Sequence, residues 1–301
     1  HYTLLAIPFF LLSGAFMTTG GVAKRLIDFA NACVGHIRGG LAIGAVLACM
    51  LFAALSGSSP ATVAAVGSIA IAGMVRSGYR QAFGAGIVCN AGTLGILIPP
   101  SIVMVIYATF AEVSVGKMLI AGLIPGLLTA GMYAALVYVR CSINPRLAPK
   151  PDLTGIDLRA KIRSLGPIWP VPPLAFGIVR SNYGRIATAT EAAALGVILT
   201  VILVMNQRRL TPRTTPDSLP ETVTTTSSIF LIAIGASLMT QFLAFTGMPA
   251  FLSTAVSDLT DNHIGIMAIF CLLYLLLGCF LDPLGVMLLT LPILLPIIDR
   301  A

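Results

Sequence analysis

Charge is scarce in this sequence. Asp, Glu, Lys and Arg make up 10% of its 301 residues, where a soluble globular chain carries about 25%. That shortage excludes an ordinary soluble enzyme. Residues that hold metals or carry redox chemistry are equally thin. His1, His36 and His263 lie far apart, so no zinc or haem ligand cluster can be read from them. Cys33, Cys49, Cys89, Cys141, Cys271 and Cys279 form no CxxC pair and mostly sit in apolar stretches, where a thiol packs as a small hydrophobe. The chain starts at His1 without a charged leader or cleavage site, so no signal peptide is read and a missing amino-terminal piece is expected. Acidic residues number 11 against 18 basic ones. The resulting net charge of +7 does not point to nucleic acid, because the basic residues lie in loops between apolar segments, as membrane topology requires.

Apolar residues are what the chain has in excess, at 57% with a mean hydropathy of +0.97. A hydrocarbon core takes roughly 20 such residues per helix, so the length allows about eight to ten segments in the bilayer. The 29 Gly and 19 Pro fall mostly inside the apolar runs. Membrane helices tolerate them only where neighbours satisfy the freed backbone groups.

Spans are predicted at 3–19, 83–110, 119–139, 166–179, 186–205 and 226–246. Residues 40–75 and 264–298 differ, each cut in the middle by Ser59-Pro60 or Asp282-Pro283. Arms of about 15 residues are short for a crossing. They read as helical hairpins that enter the membrane and turn back, with two short tilted spans as the alternative. On this assignment the cytoplasmic loops hold Lys24, Arg25, Arg38, Arg76, Arg80, Arg140, Arg146, Lys150, Arg159, Lys161, Arg163, Arg208, Arg209 and Arg213, leaving only Lys117, Arg180, Arg185 and Arg300 elsewhere. The two hairpins then approach the bilayer middle from opposite faces, the pattern of a transporter.

Residues 22–38 place Val22, Leu26, Phe29, Cys33 and Ile37 on one stripe, which suits a helix lying in the membrane interface or an ordinary loop helix. Residues 248–260 allow the same two readings. Shifting the first block by 223 residues lays Ser59-Pro60 on Asp282-Pro283 and repeats the order span, amphipathic helix, arm, broken tip, arm. The expected organisation is a first repeat at 1–139, a basic cytoplasmic linker at 140–165 and an inverted second repeat at 166–301, cut short after its hairpin. The fold class is therefore an all-α polytopic membrane protein with inverted repeats, two re-entrant hairpins and broken helices.

Within 83–110, Asn90-Ala91-Gly92-Thr93-Leu94-Gly95 and Pro99-Pro100-Ser101 interrupt the apolar run. Tandem prolines remove amide donors, and the glycines permit an unwound stretch. Ser56-Gly57-Ser58-Ser59-Pro60-Ala61-Thr62 forms a hydroxyl-rich tip. An arm ending there exposes carbonyls that favour a cation, and the arm that follows exposes amides that favour an anion. Hard cations take such oxygens; close helix packing is the other use of small polar residues. The candidate cation ligands are Ser56, Gly57, Ser58, Ser59, Asn90, Gly92 and Asp282. The candidate solute contacts are Ser58, Thr62, Asn90, Pro100 and Ser101. Asp282 either balances a cation or caps the helix that starts at Pro283. Thr188 and Glu191 have the spacing of a capping box rather than of an acid pair. With no nucleophile and base beside Asp282 and Glu191, an intramembrane enzyme is the weakest reading.

The segments GSSPATVAAVGSIA at 57–70, GTLGILIPPSI at 92–102, IATATEAAALG at 186–196 and FLDPLGVMLLTLPILLPI at 280–297 resemble one family in the same order. That family is the large membrane subunit of TRAP transporters, the tripartite ATP-independent periplasmic systems. The resemblance implies sodium-coupled uptake of an organic anion, often a dicarboxylate, through the cytoplasmic membrane of a bacterium or archaeon. It also implies a small membrane subunit, a periplasmic solute-binding protein and an elevator-like motion. By the same resemblance, residues 56–59 match a cation-binding tip, 90–95 its unwound partner, and Asp282 the second tip. The alternative is a stand-alone divalent-anion symporter. No cofactor beyond the coupling sodium is expected.

Overall fold

The computed structural model describes residues 2–149, 188–206, 214–247, 251 and 263–298, and these form helices and turns with no strand among them. The predicted span at 166–179 and the amphipathic stretch at 248–260, Phe251 apart, lie outside the described residues. The chain divides into two compact units, His1–Ile106 with Ser114–Val223, and Tyr107–Val113 with Thr224–Ala301.

In the first unit, α1 (Ala6–Thr19) and α2 (Val22–Val34) meet at an elbow of 71° across Gly20-Gly21. The apolar face of α2 is rotated from the expected stripe. Val22, Ala23, Leu26, Ile27 and Ala30 are buried, Phe29 and Cys33 are half-buried, and Ile37 lies beyond the helix end. The cause is packing: α2 lies against α3 (Gly40–Ser56) and α4 (Ser59–Arg76), and the Asn31 amide fills the space left by Gly44. The stripe drawn from 3.6-residue spacing alone missed that contact.

Arms α3 and α4 form the first hairpin, with residues 57 and 58 as its turn. At its base Tyr79 is buried, and burial pushes its phenol up to about 12, against which a hydrogen bond with the Leu41 backbone acts. The predicted span at 83–110 is discontinuous: α5 (Gln81–Gly92), a single turn α6 (Leu94–Leu97), a bend through Ile98, Pro99 and Pro100, then α7 (Ile102–Phe110), with an angle of 41° between the two parts. The long α8 (Val115–Ile143) exceeds the predicted 119–139 at both ends and has Arg140 in its last turn, where a cation suits the helix dipole. Its outer side is apolar, with Ile124 76% and Ile143 78% exposed, a surface suited to lipid rather than water.

The helix α9 (Ala189–Asn206) opens with the expected reciprocal cap. Thr188 N–H and O–H donate to Glu191 Oε2 at 2.7 and 2.9 Å, and Glu191 N–H donates to Thr188 Oγ1 at 3.3 Å. Replacing Glu191 by Gln, which keeps an acceptor, is therefore expected to leave uptake within about twofold of the parent in a transport assay. Helices α1 and α9 are tightly matched. Thr200 O–H donates to Gly196 O at 2.7 Å, so in the buried 2.8 Å contact it is Ser13 O–H that donates to Thr200. Farther along, a Cβ on Gly20 would meet Val204. Residues 13 and 20 thus face 200 and 204 in the same chain direction. The two helices therefore run parallel.

Helix α10 (Thr214–Thr246) begins twelve residues before the predicted span at 226 and contains Pro220; its membrane-length apolar part is Thr222–Leu243. In the second unit α11 (His263–Gly278) and α12 (Pro283–Ile298) form the second hairpin. Ile266, Phe270 and Leu294 make a small core there, and Tyr274 and Thr290 hydroxyls meet at 2.6 Å. Among the described residues, three helices are long and apolar enough to cross a membrane, or up to five if each bent pair is one span. The protein is a multi-pass membrane protein.

Candidate functional site

The first hairpin tip is seated on the discontinuity of the α5–α7 segment. Gly57 carries the turn with φ of 62°, a left-handed conformation that glycine adopts without strain. Its carbonyl accepts Ile102 N–H at 3.2 Å, and a Cβ on it would lie 2.5 Å from Pro100 O. Gly95 passes so close to the tip that a Cβ there would sit 2.8 Å from Ser58 C and from Ser59 N. Gly92 faces Val63 and, at ordinary contact distance, Ser59 O. On another side Gly14 of α1 packs on Ser56, a Cβ there lying 3.1 Å from Ser56 Cβ. Small residues are needed at Gly57 and Gly95 because backbone meets backbone there, at Gly92 because the Val63 side chain fills the space, and at Gly14 because Ser56 packs on it.

The tip is largely closed on its own hydrogen bonds. Thr62 is fully buried; its hydroxyl donates to Ser58 O at 2.8 Å and its amide donates to the same oxygen at 3.1 Å. Ser56, 1% exposed, has its hydroxyl 3.1 Å from Thr62 Oγ1 and 3.4 Å from Ser58 O. Ser101 is fully buried and donates to Ile96 O at 2.6 Å while accepting Met104 N–H at 3.4 Å, so it caps α7. Pro100 is buried against Gly57, and the Pro99-Pro100 bond is cis. One oxygen stands apart: Ser59 Oγ is buried without a hydrogen-bond partner. A buried hydroxyl in that condition costs free energy unless something else satisfies it. Ser58 forms no side-chain cap on α4, whose first turn, with Pro60, keeps uncapped amides.

Asn90 is exposed and its Nδ2 donates to Gly86 O at 2.8 Å, leaving Oδ1 as its side-chain acceptor. The structure therefore brings together Ser56, Gly57, Ser58, Ser59, Thr62, Gly92, Pro100 and Ser101, while Asn90 lies at the rim with its amide turned to its own helix. Asp282 is in the second unit, at the start of α12. Its Oδ2 accepts Leu284 N–H at 3.0 Å, the capping role that the Asp-Pro pair allowed. All six cysteines are free thiols, and among the described residues no three of His, Cys, Asp or Glu converge. The oxygens at the tip come from hydroxyls and peptides, the donor type that hard cations take.

Sequence reasoning missed the seat beneath the discontinuity. Gly122 and Gly126 of α8 receive it: a Cβ on Gly122 would meet Leu97 O at 2.6 Å, and one on Gly126 would meet Ile98 Cγ1 at 2.9 Å. The GxxxG spacing of these two residues was the available signal. Tyr133, two turns beyond Gly126, has its hydroxyl 3.2 Å from Thr93 Oγ1; one of two tyrosines in an apolar helix gives no such signal.

The whole chain, residues 1–301, matches the family described as the DctM component of the tripartite ATP-independent periplasmic transporter. Over 301 residues it is 52% identical to the C4-dicarboxylate TRAP transporter large permease protein DctM of Pseudomonas aeruginosa, covering 99% of this chain and 69% of that protein. The protein of the same name from Vibrio cholerae is 40% identical over 99% of this chain and 69% of its own length. The isethionate TRAP transporter permease protein DctMQ of Oleidesulfovibrio alaskensis is 34% identical over 99% of this chain and 46% of its own length. These relatives are transporter permeases and not enzymes. The chain belongs to the DctM family, the large permease component of tripartite ATP-independent periplasmic transporters.

Proposed function

We propose that this permease couples inward sodium flow to import of a small organic anion of carboxylate or dicarboxylate type across the bacterial or archaeal cytoplasmic membrane. The observation that carries the reading is the seating of a hydroxyl-rich tip on an interrupted helix, with one buried hydroxyl oxygen left over. Carbonyls and hydroxyls suit the cation, and the uncapped start of α4 suits the anion. The tip touches Gly14 and Gly95, both interior to their apolar segments. That supports a hairpin that turns back inside the bilayer, although α4 by length alone is able to cross. Asp282 Oδ1, outside the cap, serves as the acidic oxygen of the second tip, and the two hairpins belong to inverted repeats that move as an elevator.

A periplasmic binding protein delivers the solute, and a small membrane subunit accompanies the large one. The DctMQ relative supports the latter, since this chain matches less than half of it. Uptake of succinate as a C4-dicarboxylate probe, in proteoliposomes holding the full-length permease, small subunit and binding protein, tests the reading. Uptake is expected to rise several-fold with an inward sodium gradient over potassium and to vanish without the binding protein. Rates indifferent to sodium would refute the coupling. Uptake without the binding protein would favour a stand-alone symporter.

A further inference from the structure

The Asn90 carbonyl closes α5 at the edge of the discontinuity. Thr93 N–H donates to it at 3.1 Å and Thr93 O–H at 2.6 Å. A peptide oxygen has two lone pairs, so both are taken and none remains for a cation. Because the single Thr93 hydroxyl proton is committed there, the 3.2 Å contact with Tyr133 has Tyr133 O–H as donor and Thr93 Oγ1 as acceptor. Tyr133 thereby fixes the rotamer that places Thr93 across the Asn90 oxygen. Its own position is set by α8: Gly122, Gly126 and Tyr133 fall on one side of that helix, and the two glycines bear directly on Leu97 and Ile98.

We propose that Tyr133 is a positioning residue for the cation step. It holds Thr93 over the Asn90 carbonyl, and that oxygen becomes a ligand only when the Tyr133–Thr93 bond opens. Tyr133 touches neither cation nor solute; it sets how much of the cation's binding free energy is spent on freeing the oxygen. The inference rests on the sodium reading above and adds a residue of α8 to it.

The test is hydrogen–deuterium exchange of peptides covering 90–98 in the full-length transporter, titrated with sodium at constant ionic strength made up with potassium. In Tyr133→Phe the sodium concentration for half-maximal protection is expected to fall about threefold or more, the scale of one interhelical hydrogen bond in a membrane. Thr93→Val, which lacks the hydroxyl, is expected to show the same fall, and Thr93→Ser, which keeps it, the parent value. The double variant Tyr133→Phe with Thr93→Val is expected to go no further than Thr93→Val alone. Sodium protection in the parent with an unchanged midpoint in both Tyr133→Phe and Thr93→Val would overturn the role of Tyr133. No sodium protection in the parent would instead overturn the cation reading, and this inference with it.

Discussion

Gly95→Ala is expected to remove most solute uptake while leaving the protein in the membrane. The added methyl would sit 2.8 Å from Ser58 C and Ser59 N, and these are backbone atoms of a tight turn, unable to swing aside as a side chain would. Overpacking of this kind costs about 1–3 kcal/mol, so the seated arrangement of tip and interrupted helix is disfavoured by roughly fivefold to a hundredfold. Gly57→Ala should act in the same direction for two reasons. Its φ of 62° carries a penalty of about 1–2 kcal/mol for an L residue, and its methyl would face Pro100 O at 2.5 Å. Gly73→Ala, on the same hairpin, is the control: a Cβ there meets nothing within 4 Å. Uptake and membrane abundance of all three variants, measured together, decide the matter. Loss in Gly73→Ala equal to that in Gly95→Ala would show the hairpin to be generally fragile, with no special seat at its tip.

Ser59→Ala separates a cation ligand from a packing residue by the sign of its effect. A buried hydroxyl without a partner is a cost to the fold, so deleting it from a site that only packs is neutral or stabilising. Deleting it from a site that ligates sodium weakens the cation. With about 1.5–3 kcal/mol attached to a polar contact with a charge, the sodium concentration for half-maximal uptake should rise about tenfold or more. Ser59→Thr keeps the oxygen and should stay near the parent. An unchanged sodium midpoint together with a higher thermal midpoint in Ser59→Ala would assign the residue to packing alone.

Much of this arrangement was legible in the sequence because local chemistry dictates it. Ser59-Pro60 and Asp282-Pro283 announced helix starts after a break, since Pro is tolerated in the first turn and disruptive farther in. The tandem Pro99-Pro100 and the glycines at 92 and 95 announced an interrupted helix for the same reason, and Thr188 with Glu191 announced a reciprocal cap. What stayed hidden depends on tertiary partners. The buried side of α2 follows from Asn31 filling the space at Gly44, a contact between residues that periodicity treats separately. The closed hydrogen bonds of Thr62 and Ser101, both read as solute contacts, follow from backbone turns whose geometry no residue type specifies. Tyr133 entered only because α8 lies beside the discontinuity. Ser59 was one of three serines within residues 56–59, and burial without a partner is what singles it out.

The central claim is that the first hairpin reaches only the middle of the bilayer, where its tip meets the interrupted helix. It is tested most directly by nitroxide labels at Arg38, Pro60 and Ser77, one at a time, in the full-length permease with its native cysteines replaced and reconstituted in bilayers. Depth is then read from the contrast between oxygen and a polar relaxant. Labels at 38 and 77 are expected at the headgroup level of one leaflet, and the label at 60 near the bilayer centre. A label at 60 emerging at the headgroups of the opposite leaflet would contradict the claim, because the two arms would then be ordinary crossings and the tip would meet water instead of its seat.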